Sequence, residues 1–597
     1  MAIRQRNKYQ AQNQRILLIV GCSLLTACTQ PPPATEPSTS SQRNAEAENT
    51  SNRNAPRIDK KDTGLPTDNL AESAVVPAWL QMSPESTGIT HKYENGEAAE
   101  QCTILESLGG GIGIIDFDRD GLMDLCLTGG GGFTSDQQIT GLPSALYHNR
   151  GNWKFRDRSD ISRMAASPFY SHGVAVGDYN NDGFSDLAIT GYQGVLLWTN
   201  QGDGTFIESA LARGISNPAW ASSAAWGDLS GDGTLDLYIA NYVDWSFQNH
   251  PLCAAQNRQR DICPPKSFAP LADQLFVNQG NDQFANPNAA SGLRADGKGL
   301  GVLLADVNGD ARLDIYVAND TTNNFLYMND GNATFTEAGE LRGVALDDRG
   351  LPNGSMGLDA FDYNQNGRLD LWVCNYEDEA FGLYRNEGDA HFLHVSKSTG
   401  LTSFGQRFVG FGTAAADFDL DGDEDVVVAN GHVIKFPQRA PRKQLPLYLE
   451  NKQGRFHRVN YPSNSYFANP HEGRGLAIAD FDNDGVPDLA VSHINAPPAI
   501  LQNATTAGDW LSIQLVGTQS NRDAVGTSLW LHTEQGTMFR QIKGGGSYLS
   551  THDLRVRWGF APKTQLKKLE ILWPSGIRQT IENLIHNQHL VICELSH

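Results

Sequence analysis

Positive charge is scarce in this 597-residue chain: 46 Lys and Arg stand against 68 Asp and Glu, a formal net charge of −22 at pH 7. Affinity for a phosphate backbone needs clustered basic side chains, so this balance argues against nonspecific nucleic-acid binding. No GxSxG, HExxH or P-loop pattern occurs, which leaves the serine-hydrolase, metalloprotease and nucleotide-binding signatures without a carrier. The eight cysteines form no CxxC or Cys/His cluster at zinc spacing. Cys22 and Cys28 fall in an N-terminal leader. Of the other six, Cys253 and Cys263 share a loop and are expected to pair, Cys102 is open to pairing with Cys126, and Cys374 and Cys593 have no evident partner.

The leader also lacks a comfortable membrane span. Its apolar run, ILLIVGCSLL, is short and follows Arg4, Arg6, Lys8 and Arg15, the layout of a targeting segment. Leu25-Thr26-Ala27-Cys28 then resembles the bacterial lipoprotein box. That resemblance implies cleavage of residues 1–27, a lipid on the Cys28 thiol and an exported protein of the cell envelope, at the outer membrane or cell surface given Thr29. An ordinary secretory peptide is the alternative. Residues 28–75 are nearly free of large apolar side chains, cannot offset their ordering entropy, and are expected to be a disordered linker.

What is abundant is glycine, 60 residues, and an acidic loop that recurs seven times at intervals of 50 to 78 residues. Oxygen-bearing side chains stand at its positions 1, 3, 5 and 9: Asp116, Asp118, Asp120 and Asp124; Asp178, Asn180, Asp182 and Asp186; Asp228, Ser230, Asp232 and Asp236; Asp306, Asn308, Asp310 and Asp314; Asp362, Asn364, Asn366 and Asp370; Asp417, Asp419, Asp421 and Asp425; Asp480, Asp482, Asp484 and Asp488. Such convergence is costly without a cation, and hard oxygens at this spacing favour Ca2+ at up to seven sites. An EF-hand would place Glu at position 12 between helices, whereas here an alternating apolar run such as LYIAN follows. The 362 loop has only two carboxylates and the 306 loop has Ala311 where Gly is expected, so these two are expected to bind most weakly.

Each loop is followed by a second strand and then by a phrase such as LYHNRGNWKF or LWTNQGDGTF, so each unit reads as a four-stranded propeller blade. The seventh unit stops at LQNA without its last strand. In four units Phe is followed eight residues later by Gly, and Leu80 to Gly88 keeps that spacing. Residues near 78 to 90 are therefore expected to supply the missing outer strand and close the ring.

Thirteen residues after each first Asp come Gly129, Gly191, Asn241, Asn319, Asn375, Asn430 and His493, one strand away, roughly 17 Å. This places them on the face opposite the loops, where the long insertions at 130–145, 242–272 and 431–446 also lie. Asn241, Asn319, Asn375, Asn430, His493 and Trp245 are the ligand-face candidates, with turn capping as the other reading of the Asn set.

The repeats resemble the FG-GAP/VCBS repeats of integrin alpha-chain propellers and of the cartilage acidic protein family, and the end of the chain, WLSIQLVGTQSNRDAVGTSLWL with GGGSYLSTHDLRVRWGF and LEILWPSGIRQTIENL, is similar to that family's ASPIC/UnbV module. It departs at Gly526-Thr527 and Trp558-Gly559-Phe560. The resemblance implies an all-β chain: a seven-bladed β-propeller over 76–505 and a small β domain over 506–597. It implies a calcium-stabilised extracellular scaffold for binding or adhesion; a monomer with an extracellular protein or glycan partner is expected, touching the membrane only through the lipid on Cys28. A polysaccharide lyase on the same scaffold is the alternative, with Trp245, His432 and Lys435 as its candidates; no catalytic residue is assigned.

Overall fold

The computed structural model describes residues 76–164, 167–404 and 407–596; Cys28 and the rest of residues 1–75 lie outside the described residues. Seven antiparallel sheets follow one another along the chain, six of four strands and the fourth of five, where Gly544–Gly545 adds to its inner strand. The first comprises Ile112–Ile115, Asp124–Leu127, Ala145–Asn149 and Phe155–Asp157, and the second Ser171–Gly177, Asp186–Gly191, Gly194–Asn200 and Phe206–Glu208. The third to sixth repeat this order from inner strands Ala221–Gly227, Gly299–Ala305, Leu358–Phe361 and Gly410–Ala416. Each inner strand packs on the inner strands of the sheets either side, and Ile112–Ile115 lies against both Ser171–Gly177 and Gly473–Ala479, so the sheets form a ring.

The seventh sheet joins both ends of that ring. Gly473–Ala479, Asp488–His493 and Ala496–Asn503 come from the end of the repeat array, and the outer strand is Trp79–Met82, paired antiparallel with Trp79 opposite Asn503 and Met82 opposite Ile500. The closure expected near residues 78 to 90 is thus made. The Phe-to-Gly spacing that pointed to it has a steric cause. Gly88, Gly214, Gly292 and Gly343 all have φ of 82° to 85°, and a Cβ on any of them would lie 2.1 to 2.7 Å from the carbonyl oxygen of Phe155, Phe284, Phe335 or Phe392 in the next sheet. Only glycine permits both the left-handed turn and the approach.

Buried aromatic and aliphatic residues fill the spaces between sheets, as where Phe361, Tyr363, Trp372 and Phe381 of the fifth sheet meet Val426, Leu449 and Phe456 of the sixth. The C-terminal module is built from two sheets. Asp509–Val516 pairs parallel with Gln588–Cys593 and antiparallel with Val556–Phe560, and Thr537–Gln541, Ser528–Thr533, Leu566–Leu572 and Arg578–Glu582 form the other. Leu511, Ile513, Leu529, Trp558 and Trp573 form its core, which is continuous with Trp226, Leu304 and Leu313 of the propeller.

Between Gln541 and Val556 the module sends a loop down the axis of the ring. Gly546 N donates to Val302 O at 2.8 Å, Ser547 N to Leu358 O at 2.7 Å, and Ser547 Oγ to Leu476 O at 2.7 Å. Thr413 N donates to Ser547 Oγ, Leu549 N to Ser223 Oγ, Val174 N to Leu549 O, and Thr551 N to Ile112 O. Every one of the seven inner strands is touched. The run of three glycines at 544–546 lets the backbone pass where side chains would collide: a Cβ on Gly544 would lie 2.2 Å from Trp226 O.

Candidate metal centres and the opposite rim

The seven acidic loops share one hydrogen-bond plan. In each, the first Asp accepts a bond from the backbone N–H of position 6, from Gly121 to Asp116 Oδ2 at 3.0 Å through to Gly485 to Asp480 Oδ2 at 2.9 Å. The Asp at position 9 accepts from the backbone N–H of the Asn that ends the third strand, as Asn200 to Asp186 Oδ1 at 2.8 Å. That Asn then uses its side-chain Nδ2 to reach the carbonyl at position 2 of the preceding sheet's loop: Asn149 to Phe481, Asn200 to Phe117, Asn278 to Tyr179, Asn329 to Leu229, Asn386 to Val307, Asn451 to Tyr363 and Asn503 to Phe418. The recurrent Asn is a clasp between neighbouring blades. The sequence displays it at every unit, but only the ring order reveals what it holds.

These bonds leave part of the carboxylate set unspent. Asp116 Oδ1, Asp186 Oδ2, Asp370 Oδ2 and Asp482 Oδ1 are out of solvent without a hydrogen-bond donor. Three ligand atoms converge within 4.8 Å for Asp116, Asp118 and Asp124, for Asp118, Asp120 and His148, for Asp417, Asp419 and Asp421, and for Asp480, Asp482 and Asp488. Burial, reinforced by the neighbouring carboxylates, pushes Asp116 up to about 6, Asp236 to about 7 and Asp314 and Asp370 to about 8, and raises Asp124, Asp186, Asp425 and Asp488 as well. Oxygens held this way resist ionisation alone and accept a divalent cation, so the loops are groups that could hold a metal. In the 306 loop a fixed cation already takes part: Arg312 bonds to Asp310.

The C-terminal module lies on this loop face, an arrangement the sequence did not signal. Asp178 N donates to Asp523 Oδ2 at 2.8 Å while Arg522 Nε stands 3.6 Å from Asp178 Oδ2. Gly559 N donates to Asp417 Oδ2 at 3.0 Å, Arg555 to Asp480 O at 3.1 Å, and Gln541 Oε1 accepts from Asp306 N at 2.9 Å. Arg540 pairs with Glu424 at 3.2 Å and Lys543 with Asp359. Basic side chains of the module thus meet the acidic face of the ring.

On the opposite face the ligand candidates need correction. Asn241, Asn319, Asn375, Asn430, His493 and Trp245 are all buried. Their polar groups turn inward because they end strands whose following loops need caps: Asn241, Asn319, Asn375 and Asn430 donate to the carbonyls of Ala272, Asn323, Ala380 and Leu445. His493 is held between Tyr466 OH at 2.9 Å and Pro497 O, and Trp245 Nε1 meets His250. The lyase candidates are engaged too. His432 is buried against Glu377, and Lys435 Nζ lies 3.2 Å from the buried Glu106 carboxylate. Cys253 and Cys263 are joined by a disulfide, whereas Cys102 and Cys126 are both free and do not pair.

The insertions of the first, third and sixth units do converge, through Phe133 on Phe247 and through Asp261, whose carboxylate accepts from Lys435 N at 2.8 Å and Phe436 N at 3.1 Å. They close over the axis around Tyr93, Trp220, Tyr242 and Trp245, which meet Tyr548 and Leu549 of the axial loop. At the edge of this cap a cleft of about 350 Å³ remains open, lined by Gln137, Phe169, Tyr192, Gln193, Phe247 and Gln248 among others.

With this geometry in place, known proteins resemble the chain as follows. A family model described as "FG-GAP-like repeat" matches residues 116–189, 178–239, 306–373 and 362–428, and one described as "ASPIC and UnbV" matches residues 517–596. Cartilage acidic protein 1 of Xenopus tropicalis is 26% identical over 309 residues, 50% of this chain and 45% of its own. The Homo sapiens protein of that name is 27% identical over 374 residues, 52% of this chain and 56% of its own. The chain therefore spans about half the length of these curated relatives. Among solved structures, "YCF48 bound to D1 peptide" aligns at 10% identity and a TM-score of 0.37, covering 67% of this chain and 94% of that one. A lectin of Agrocybe aegerita, whose structure concerns recognition of non-reducing terminal N-acetylglucosamine, aligns at 16% identity and a TM-score of 0.35 over 64% of this chain and 85% of its own. Likeness at such scores carries no functional weight.

Proposed function

Because the chain joins FG-GAP-like repeats to an ASPIC and UnbV module and is similar to cartilage acidic protein 1, we propose that it is a calcium-loaded β-propeller scaffold that binds an extracellular protein or polysaccharide. The observation that carries the cation part is the set of buried carboxylate oxygens without donors in loops of one common plan. Six to eight hard oxygens in a flexible loop suit Ca2+ better than Mg2+. The leader motif supports export and a lipid on Cys28, which would hold the propeller at the cell envelope.

The ligand then binds on the rim away from the loops, since the C-terminal module occupies the loop face. The open cleft supports a neutral, hydroxyl-rich ligand: Phe169 and Phe247 line it with apolar rings, and Gln137, Gln193 and Gln248 with amides that can donate and accept. The test joins metal analysis to a glycan array. The folded chain should carry several equivalents of calcium after dialysis, and Phe247→Ala should lose retention of the glycan the parent retains. A chain free of calcium refutes the cation part, and array signals unchanged in Phe247→Ala refute the cleft.

A further inference from the structure

One of the seven loops meets an imidazole from its own blade, which the others lack at that position. The residue just before the clasp Asn is His148 in the first unit and then Thr199, Val277, Met328, Arg385, Glu450 and Gln502. This position reaches the acidic loop of its own blade, as Gln502 Nε2 does in donating to Asp482 Oδ2 at 3.0 Å. In the first unit it supplies an imidazole. The His148 ring is 5% exposed and packs edge-on against Phe117 with centroids 5.4 Å apart, which fixes its orientation. Its Nε2 stands 3.1 Å from Asp118 Oδ2 and 3.4 Å from Asp120 Oδ2.

We propose that the Asp116 loop is a cation site of a different class, in which His148 Nε2 is a ligand beside the aspartates and a borderline divalent ion such as Zn2+ is preferred to Ca2+. One ligand atom each from Asp118, Asp120 and His148 lies within 4.8 Å of the others, and Asp118 also meets Asp116 and Asp124 within that span. Atoms bonded to one ion at about 2.0–2.3 Å lie no farther apart than roughly 4.0–4.6 Å, so the Asp118, Asp120 and His148 atoms need at most a small inward shift to share an ion, and Asp118 links them to the second group. Asp116, whose Oδ1 is out of solvent and without a donor, belongs to that adjoining group. A neutral ring nitrogen is a poor ligand for calcium and a good one for zinc, whereas the oxygen-only set at Asp417 keeps the calcium preference.

The inference rests on the acidic loops being cation sites, and one experiment separates the two. The metal-free full chain is dialysed against excess Ca2+ with limiting Zn2+, and both metals are counted by emission spectrometry in the parent, His148→Asn and His148→Gln. The parent should keep one zinc per chain, the variants should bind it at least about tenfold more weakly, and calcium at the other loops should be unchanged. Calcium retained without zinc, or zinc retained equally by the variants, overturns His148 ligation and leaves the calcium reading standing. Loss of both metals takes down both. Should a variant misfold, pulsed EPR of the unaltered chain with one equivalent of Cu2+ decides: modulation from an imidazole nitrogen is expected, and its absence overturns the proposal.

Discussion

Position 6 of the acidic loops lies in the left-handed region throughout, with φ from 80° to 102° at its six glycines and 67° at Ala311. Alanine there costs about 1–2 kcal/mol relative to glycine, partly offset by the greater entropy glycine loses on folding. Ala311→Gly should therefore raise stability by about 0.5–1 kcal/mol in urea unfolding and tighten the 306 site, and a fall would mean the loop is not strained. The clasp residues carry more. Asn386→Ala removes the Nδ2 bonds to Val307 O at 2.8 Å and Leu369 O at 3.1 Å inside the protein, and should cost about 2–3 kcal/mol at fixed calcium; a cost below about 0.5 would show that water replaces them. Protonation adds a third test. Burial lowers His493 to about 4, against about 6.5 in an unfolded chain, so below pH 6.5 the unfolded chain takes up a proton the folded one refuses. Stability should fall as pH drops from 6.5 toward 4. The carboxyl groups of Asp273 and Glu379, pushed up to about 7 by burial, act in the opposite sense. The histidine contribution is thus read as the difference between the parent and His493→Gln, and equal slopes would contradict it.

Among elements, the one that closes the ring is legible in the sequence, because its signal is steric and local. Gly88 has φ 82° and a would-be Cβ 2.7 Å from Phe155 O, the same demand that fixes glycine eight residues after Phe in other blades. Gly88→Ala should cost about 2–4 kcal/mol through backbone strain and the clash, and amide exchange should quicken first in Trp79–Met82, paired only with Ala496–Asn503; unchanged protection there would show that the turn does not hold the strand. The acidic loops and their strands were equally legible, since their ligand spacing and period-2 apolar runs are short-range patterns. The strand-end Asn set was not. Asn241 and Asn430 announce polarity at a fixed phase, yet whether an amide faces a ligand or caps its own loop depends on backbone groups that arrive from insertions of 16 to 31 residues. The axial loop was illegible for a related reason. GGGSYLSTHD reads as a polar turn, and nothing in its composition says that Tyr548 and Leu549 are buried by strands up to several hundred residues away.

At the scale of the folded unit from residue 76 onward, that loop changes what the C-terminal module is for. A module joined through a linker alone would unfold independently, whereas this one bonds to all seven inner strands and shares a continuous core with three of the blades. It also touches carboxylates the loops would use for a cation: Gly559 N on Asp417 Oδ2 and His589 Nε2 at 3.6 Å from Asp480 Oδ2. If the loops hold calcium as proposed, metal loading and module docking would be linked, because both act on the same carboxylates. Calorimetry of the calcium-loaded chain should give a single transition, and chelation should move it to lower temperature without splitting it. Leu549→Ala, which leaves every loop aspartate in place, should lower the same transition by about 2–5 kcal/mol. Two transitions in the parent, one sensitive to chelator and one to the Leu549 substitution, would mean that the axial loop sits in the ring without coupling it to the module.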